Sequence, residues 1–214
     1  MLLPGGSDRI LAPPDQADGE RMQTQWLIWN LIPLMWLAWL IYWRVSARHV
    51  KRTQRRESIA SRVSHLLPLL LGVLLVALPH VPSPLFATRI LPRTLANYWI
   101  GVAITFLGLA FAVWARRHIG SNWSGTVTVK EDHVLVRTGP YAWVRHPIYT
   151  GLLIAFLGSA VARGELRGVW SLALCTLAFV IKLRIEERWM REVFGEQYAR
   201  YAAEVPALIP LSPP

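Results

Sequence analysis

Residues 139–151 read GPYAWVRHPIYTG and crowd two tyrosines, an arginine and a histidine at the border of an apolar run. Pro147 suits the first turn of a helix, where its missing N–H costs nothing. That placement puts His146 at the N-cap. It aims unpaired N–H groups and a partial positive charge at whatever lies before the helix, and Arg145 and His146 add to both. A carboxylate or phosphate is favoured there. The plainer alternative is a membrane collar, with Arg145 on lipid headgroups and His146 as a simple cap.

A second chemical stretch is KLRIEERWMREVF, residues 182–194. Ile185, Trp189 and Val193 recur at i, i+4 and i+8, so the spacing predicts a helix that continues past the apolar run and stops at Gly195. Glu186 and Glu187 stand in its first polar turn, where carboxylates beside hydrocarbon are costly unless paired. Lys182, Arg184 and Arg191 are within helical reach, and Glu186 falls at i+4 from Lys182. EQYARYAAEVP follows, with Tyr198 and Tyr201 one turn apart and Pro206 ending the helix. Such rings either pack or offer a surface to a cation or an aromatic base. A helix start with cations, a carboxylate and several rings suits a ligand with a carboxylate, onium centres and a purine. S-adenosylmethionine has all three, and aromatic faces attract its onium groups. GSNWSG lacks phosphate-loop spacing, the six histidines lack metal-ligand spacing, and no GxSxG elbow is present, so no metal site is expected.

The elements that must position these residues are membrane spans. In 214 residues there are 11 Trp and long apolar runs with few charges, which excludes an ordinary soluble core. The lone cysteine, Cys175, excludes a disulfide framework. The net charge of +10 is better explained by basic loops on one side of a bilayer than by nucleic acid, and no nucleic-acid partner is expected. Five spans are predicted, over 26–43, 63–78, 97–115, 147–162 and 169–183. The start of the chain lacks the pattern of a signal peptide. Residues 44–62 are densely basic, whereas the tail 1–24 is slightly acidic. The positive-inside bias therefore puts the N-terminus outside and the C-terminus in the cytoplasm. Counting spans then brings 116–146 and 184–214 to the same cytoplasmic face. The last two spans are short, since 16 helical residues cover about 24 Å of a ~30 Å core. The expected class is an all-α polytopic membrane protein.

GPYAWVRHPIYTG, an apolar hairpin, then EE, FGEQY, ARY and VPALIP, taken in that order, resemble the isoprenylcysteine carboxyl methyltransferase family. That family sits in a wider group of integral membrane methyltransferases that includes phospholipid N-methyltransferases. The likeness covers roughly residues 116–210. The three spans over 25–115 match only in being apolar, whereas the likeness implies a methyltransferase core over 116–214 and a cytoplasmic S-adenosylmethionine pocket closed by the C-terminal helix. It also implies cofactor contacts at Thr126, His133, Val134, Leu135, Val136, Tyr141, His146, Pro147, Ile148, Tyr149 and Glu186. Arg145, Tyr198 and Tyr201 join that set from the face described above. Lys182 stands where the family has an arginine near the substrate carboxylate, and Thr126 where animal members have a glutamine. Lys keeps the charge but loses the bidentate fork.

The expected reaction is methyl transfer to a membrane-embedded acceptor, foremost a carboxylate of an isoprenoid or prenylcysteine compound. A carboxylate is already ionised and needs no base. Lys182 and Arg184 would steer it. A lipid amine acceptor would need a base, for which Glu187 is the candidate. The expected partners are the lipid bilayer and a lipophilic or prenylated substrate. The rival readings are a phospholipid N-methyltransferase, an NADPH-dependent sterol-type reductase and a non-enzymatic lipid-binding scaffold.

Overall fold

A computed structural model describes residues 16–48, 53–78, 83–123, 128–130 and 134–210. The chain forms α1 (Gln16–Ser46), β1 (Thr53–Arg56), α2 (Ile59–Ala77), α3 (Pro84–Ala87), α4 (Leu95–Ile119), β2 (Thr128–Lys130), α5 (Pro147–Arg163), α6 (Leu166–Phe194) and α7 (Glu196–Glu204). Local chemistry sets several of these ends. The Ser58 and Thr94 side chains accept from Ser61 N and Asn97 N, capping α2 and α4. Gly164 and Gly195 end α5 and α6. From the basic loop, β1 pairs antiparallel with β2 of the segment between α4 and α5, a short ribbon that periodicity did not announce.

The membrane architecture follows from where the apolar side chains go. Leu37, Leu40, Ile41, Leu67, Leu70, Phe106 and Leu107 point outward and are exposed. A water-soluble surface rarely carries so large an apolar belt. Among the described residues, α2, α4 with its following turn, and α6 are long and apolar enough to cross a membrane. α5 is equally apolar but has only 17 residues. α6 has 29 residues, so its polar end extends beyond the apolar run, as the period of Ile185, Trp189 and Val193 predicts.

Lipid offers no hydrophobic force between helices, so close packing must hold them. α4 and α5 approach through small residues. A Cβ on Gly108 would lie 2.4 Å from Ala155 N, and one on Gly158 would lie 2.4 Å from Thr105 N. α6 packs on α5 on one side and on α2 on the other, where Ser171 Oγ donates to Gly72 O at 2.7 Å. α1 rests on α4, and its Trp36 Nε1 donates to Ser159 Oγ of α5 at 3.0 Å. The buried core runs through α4, α5 and α6, from Leu109 and Ala112 to Phe156 and Phe179. One end of this bundle gathers the start of α5, the end of α6 and α7.

Candidate active site

Pro147 opens α5 and His146 is its N-cap residue, but the imidazole does not cap the helix. The ring turns toward α6 and stacks on Tyr149, with centroids 5.5 Å apart, and Tyr149 stacks on Phe179 at 5.0 Å. The two carboxylates of α6 are divided between different partners. Glu186 accepts from the Tyr149 hydroxyl at 2.7 Å, with His146 Nδ1 at 3.6 Å and Lys182 Nζ at 4.0 Å. Glu187 accepts from Arg145 Nε at 2.9 Å and Nη2 at 2.6 Å, with His146 Nε2 at 3.2 Å. Neighbouring helical positions point about 100° apart, which is how one dipeptide serves both a cavity and a strut. Burial alone would push the Glu187 carboxyl up. The His146 and Arg145 hydrogen bonds, with their charges, outweigh it and hold the group at about 2.

Arg145 lines the cavity described below and is also bound by the protein itself. Besides Glu187, its Nη1 donates to Ala202 O at 3.0 Å and to Val205 O. The backbone around it completes the latch. Arg145 N donates to Pro206 O at 2.9 Å, His146 N to Ala207 O at 3.0 Å, and Thr150 Oγ1 to Leu208 O at 2.7 Å. The VPALIP segment is thereby sewn to the start of α5. The Tyr201 hydroxyl donates to Tyr141 O at 2.6 Å, tying α7 to the GPY turn. Burial pushes the Tyr201 hydroxyl up to about 12 and raises those of Tyr141 and Tyr198 as well. These phenols stay protonated, and those of Tyr201 and Tyr141 donate, to Tyr141 O and Ala115 O. Gly139 is needed before Tyr141, because its φ is +59° and a Cβ there would lie 2.6 Å from the His118 ring.

Between these parts lies a cavity of about 330 Å³, within the roughly 300–1,000 Å³ of small-molecule sites. Val134, Leu135, Val136, Tyr141, Arg145, His146, Pro147, Ile148, Tyr149, Lys182, Glu186, Tyr198 and Tyr201 all line it. Sequence reasoning brought these residues to one face, and they meet around one space. Thr126 and His133 lie outside the described residues. Glu187 does not line the cavity, and Arg184 is exposed on a separate shallow surface with Arg188 and Arg191.

The remaining wall comes from residues that carried no motif: Trp39 and Trp43 of α1, Leu66 and Leu69 of α2, Asn122, Trp123, Phe179 and Met190. Trp39 and Trp43 stack at 4.6 Å, and Trp123 meets Trp43 edge-on at 5.0 Å. Two polar atoms in this wall, Trp39 Nε1 and Asn122 Oδ1, are buried without a hydrogen-bond partner. A buried donor and a buried acceptor left open beside a cavity fit a ligand that carries both polarities. The i, i+4 spacing of Trp39 and Trp43 shows that they share a helix face, but only the tertiary structure shows what that face meets.

Residues 96–197 match the family described as phospholipid methyltransferase. A protein-S-isoprenylcysteine O-methyltransferase of Schizosaccharomyces pombe is 36% identical over 97 residues, which cover 44% of this chain and 41% of the relative. That of Saccharomyces cerevisiae is 32% identical, over 52% of this chain and 48% of the relative. The chain thus spans less than half the length of these two curated relatives. A solved structure of the eukaryotic intramembrane Ras methyltransferase, an isoprenylcysteine carboxyl methyltransferase, has 26% identity and a TM-score of 0.46, covering 72% of this chain and 50% of that one. The match over residues 96–197 makes that part of the chain similar to the phospholipid methyltransferase family, and these relatives bear out the resemblance to isoprenylcysteine carboxyl methyltransferases read from the motifs.

Proposed function

We propose that the protein is a membrane methyltransferase that binds S-adenosylmethionine in the cavity described above and methylates a carboxylate on a lipophilic, isoprenoid-type or prenylcysteine acceptor. The cavity carries this reading: it joins the carboxylate of Glu186, the His146–Tyr149–Phe179 ring stack and two open polar atoms in one space bounded by apolar walls. Those groups match the cofactor's chemistry. Glu186 and the ring faces suit its cationic centres, and Trp39 Nε1 and Asn122 Oδ1 suit its polar groups. When bound, S-adenosylmethionine supplies a methyl group on a sulfonium.

The protein's own residues then orient the acceptor and exclude water. Lys182 stands beside Glu186 with its ammonium 5.5 Å from the Tyr149 ring centroid, and it is the residue assigned to the acceptor's carboxylate. Arg184 is exposed and is assigned to attraction at the membrane surface. A carboxylate acceptor needs no proton removed, so proximity and orientation supply most of the effect, up to roughly 7–11 kcal/mol in favourable cases. The amine alternative needs a base near neutral pKa. Glu187, held at about 2 by Arg145 and His146, is poorly suited to that task. In the membrane frame of the positive-inside bias, the site faces the cytoplasm.

The test is incubation of the purified protein with labelled S-adenosylmethionine and native membrane extract. Label that enters lipid or prenylated protein and is released by mild base is the expected result, because a methyl ester is base-labile. Base-stable label in phospholipid would replace the carboxylate with an amine acceptor. Stabilisation by NADPH in place of the methyl donor would overturn the proposal.

A further inference from the structure

A second ionisable cluster lies outside the methyltransferase family segment, where β1 meets α2. Ser61 and His65 are spaced i, i+4 on one face of α2, and Glu57 stands just before the N-cap residue Ser58. Ser61 Oγ donates to Glu57 Oε2 at 2.8 Å, and His65 Nε2 lies 3.7 Å from Glu57 Oε1. The two ionisable side chains are only 1% and 4% exposed. A carboxylate and an imidazole are costly to withdraw from water, so their joint burial calls for a reason beyond packing. The other ring nitrogen, His65 Nδ1, is buried with no hydrogen-bond partner.

The antiparallel register of α2 on α6 shows what this face meets. Gly72 sits against Ser171 and Cys175. Two turns back along α2 is His65, and two turns on along α6 is Lys182. Leu66 and Leu69 line the cavity along with Lys182 and Glu186, whereas His65 and Glu57 do not.

We propose that Glu57 and His65 are positioning residues for Lys182, and through it determine specificity for an acceptor with an anionic head. With Nε2 turned to the Glu57 carboxylate and carrying the proton, Nδ1 presents its lone pair. By this register it is open toward the turn of α6 that carries Lys182, and the buried Glu57 charge behind the ring draws the ammonium to that side. Lys182 is thereby aimed at the acceptor's end of the cavity, in place of the fork an arginine would supply. This inference rests on the methyl-transfer reading of the cavity. It assigns part of acceptor choice to α2.

Equilibrium binding of tritiated farnesoic acid and tritiated farnesol, equal in chain length and different in charge, tests it on the full-length protein in detergent. Glu57→Gln and His65→Leu are each expected to weaken farnesoic acid binding about tenfold and leave farnesol binding unchanged. His65→Asn, which keeps an acceptor at the Nδ1 position, is expected to restore the preference for the acid. In a Lys182→Met background, neither substitution is expected to add a further loss. Equal losses for acid and alcohol, undiminished acid binding, failure of His65→Asn to restore it, or no preference in the wild type would each overturn the proposal. Thermal unfolding of every variant in the same detergent accompanies the titrations, and His65→Asn is the substitution nearest in size should His65→Leu not fold. Binding of labelled S-adenosylmethionine to the wild type is measured alongside. Its absence would defeat the methyl-transfer reading, whatever the farnesyl ligands do.

Discussion

The two ends of the helix bundle use the same device and differ in what they leave over. At one end Arg145 grips Glu187 and the carbonyls of Ala202 and Val205, and the 205–208 segment is sewn to the start of α5. At the other, Arg167 Nε donates to Glu165 at 2.6 Å and Nη1 to Leu78 O at 2.8 Å. The 88–91 segment is sewn to the α5–α6 turn there, with Ile90 N on Gly164 O at 2.9 Å and Leu166 N on Thr88 O at 2.8 Å. Both are buried arginines that convert a loop into a fixed part of the bundle. Only the first borders a cavity with open polar atoms and a second carboxylate. An arginine–glutamate pair at a membrane border therefore does not mark a site; the polar groups that remain after the pair is satisfied do.

This contrast is broken or sharpened by substitutions at the two ends. Arg145→Ala is expected to have the largest effect, because it leaves Glu187 buried without its main partner and frees the C-terminal latch. The loss is on the order of 3–5 kcal/mol, read by thermal unfolding in detergent, and methyl transfer should fall with it. Arg167→Ala should destabilise to a similar degree, about 3 kcal/mol, yet leave the affinity for S-adenosylmethionine unchanged in the folded fraction. If Arg167→Ala changed cofactor affinity as much as Arg145→Ala does, the two ends would not be separable.

The Glu187 pair also predicts a dependence on pH. Its folded pKa of about 2 lies below the ordinary value of 4.5. Its stabilisation is therefore fully present above about 4.5 and lost as pH falls toward 2. The difference in unfolding temperature between wild type and Glu187→Gln should be largest near neutral pH and close across that window. The smallest effect belongs to Arg89→Ala. Its pair with Glu165 is 3.5 Å long and its side chain is 38% exposed, so under about 1 kcal/mol is expected by the same unfolding measurement.

Much of the site was legible because its residues obey local rules. Pro147 announced a helix start, the period of Ile185, Trp189 and Val193 announced the extension of α6, and Gly195 its end. The order of the motifs carried the family resemblance. Other features depend on tertiary register. Nothing in EE tells which carboxylate turns to the cavity and which to Arg145, since both neighbours are cations at plausible spacing. Arg145 itself looked like any basic residue at a membrane border. Asn122, Trp39 and Leu69 lie far apart in sequence and meet only after α1, α2 and α4 pack. The β1–β2 ribbon joins residues from two loops whose composition signals only charge and polarity.

The central claim is that the cavity beside Glu186 holds the methyl donor. Equilibrium binding of labelled S-adenosylmethionine to the wild type, Glu186→Ala and Asn122→Ala tests it directly. Saturable binding to the wild type, about a hundredfold weaker in Glu186→Ala and about tenfold weaker in Asn122→Ala, is the expected result, consistent with losing one charged and one neutral partner in a buried site. Wild-type binding that both substitutions leave intact would contradict it.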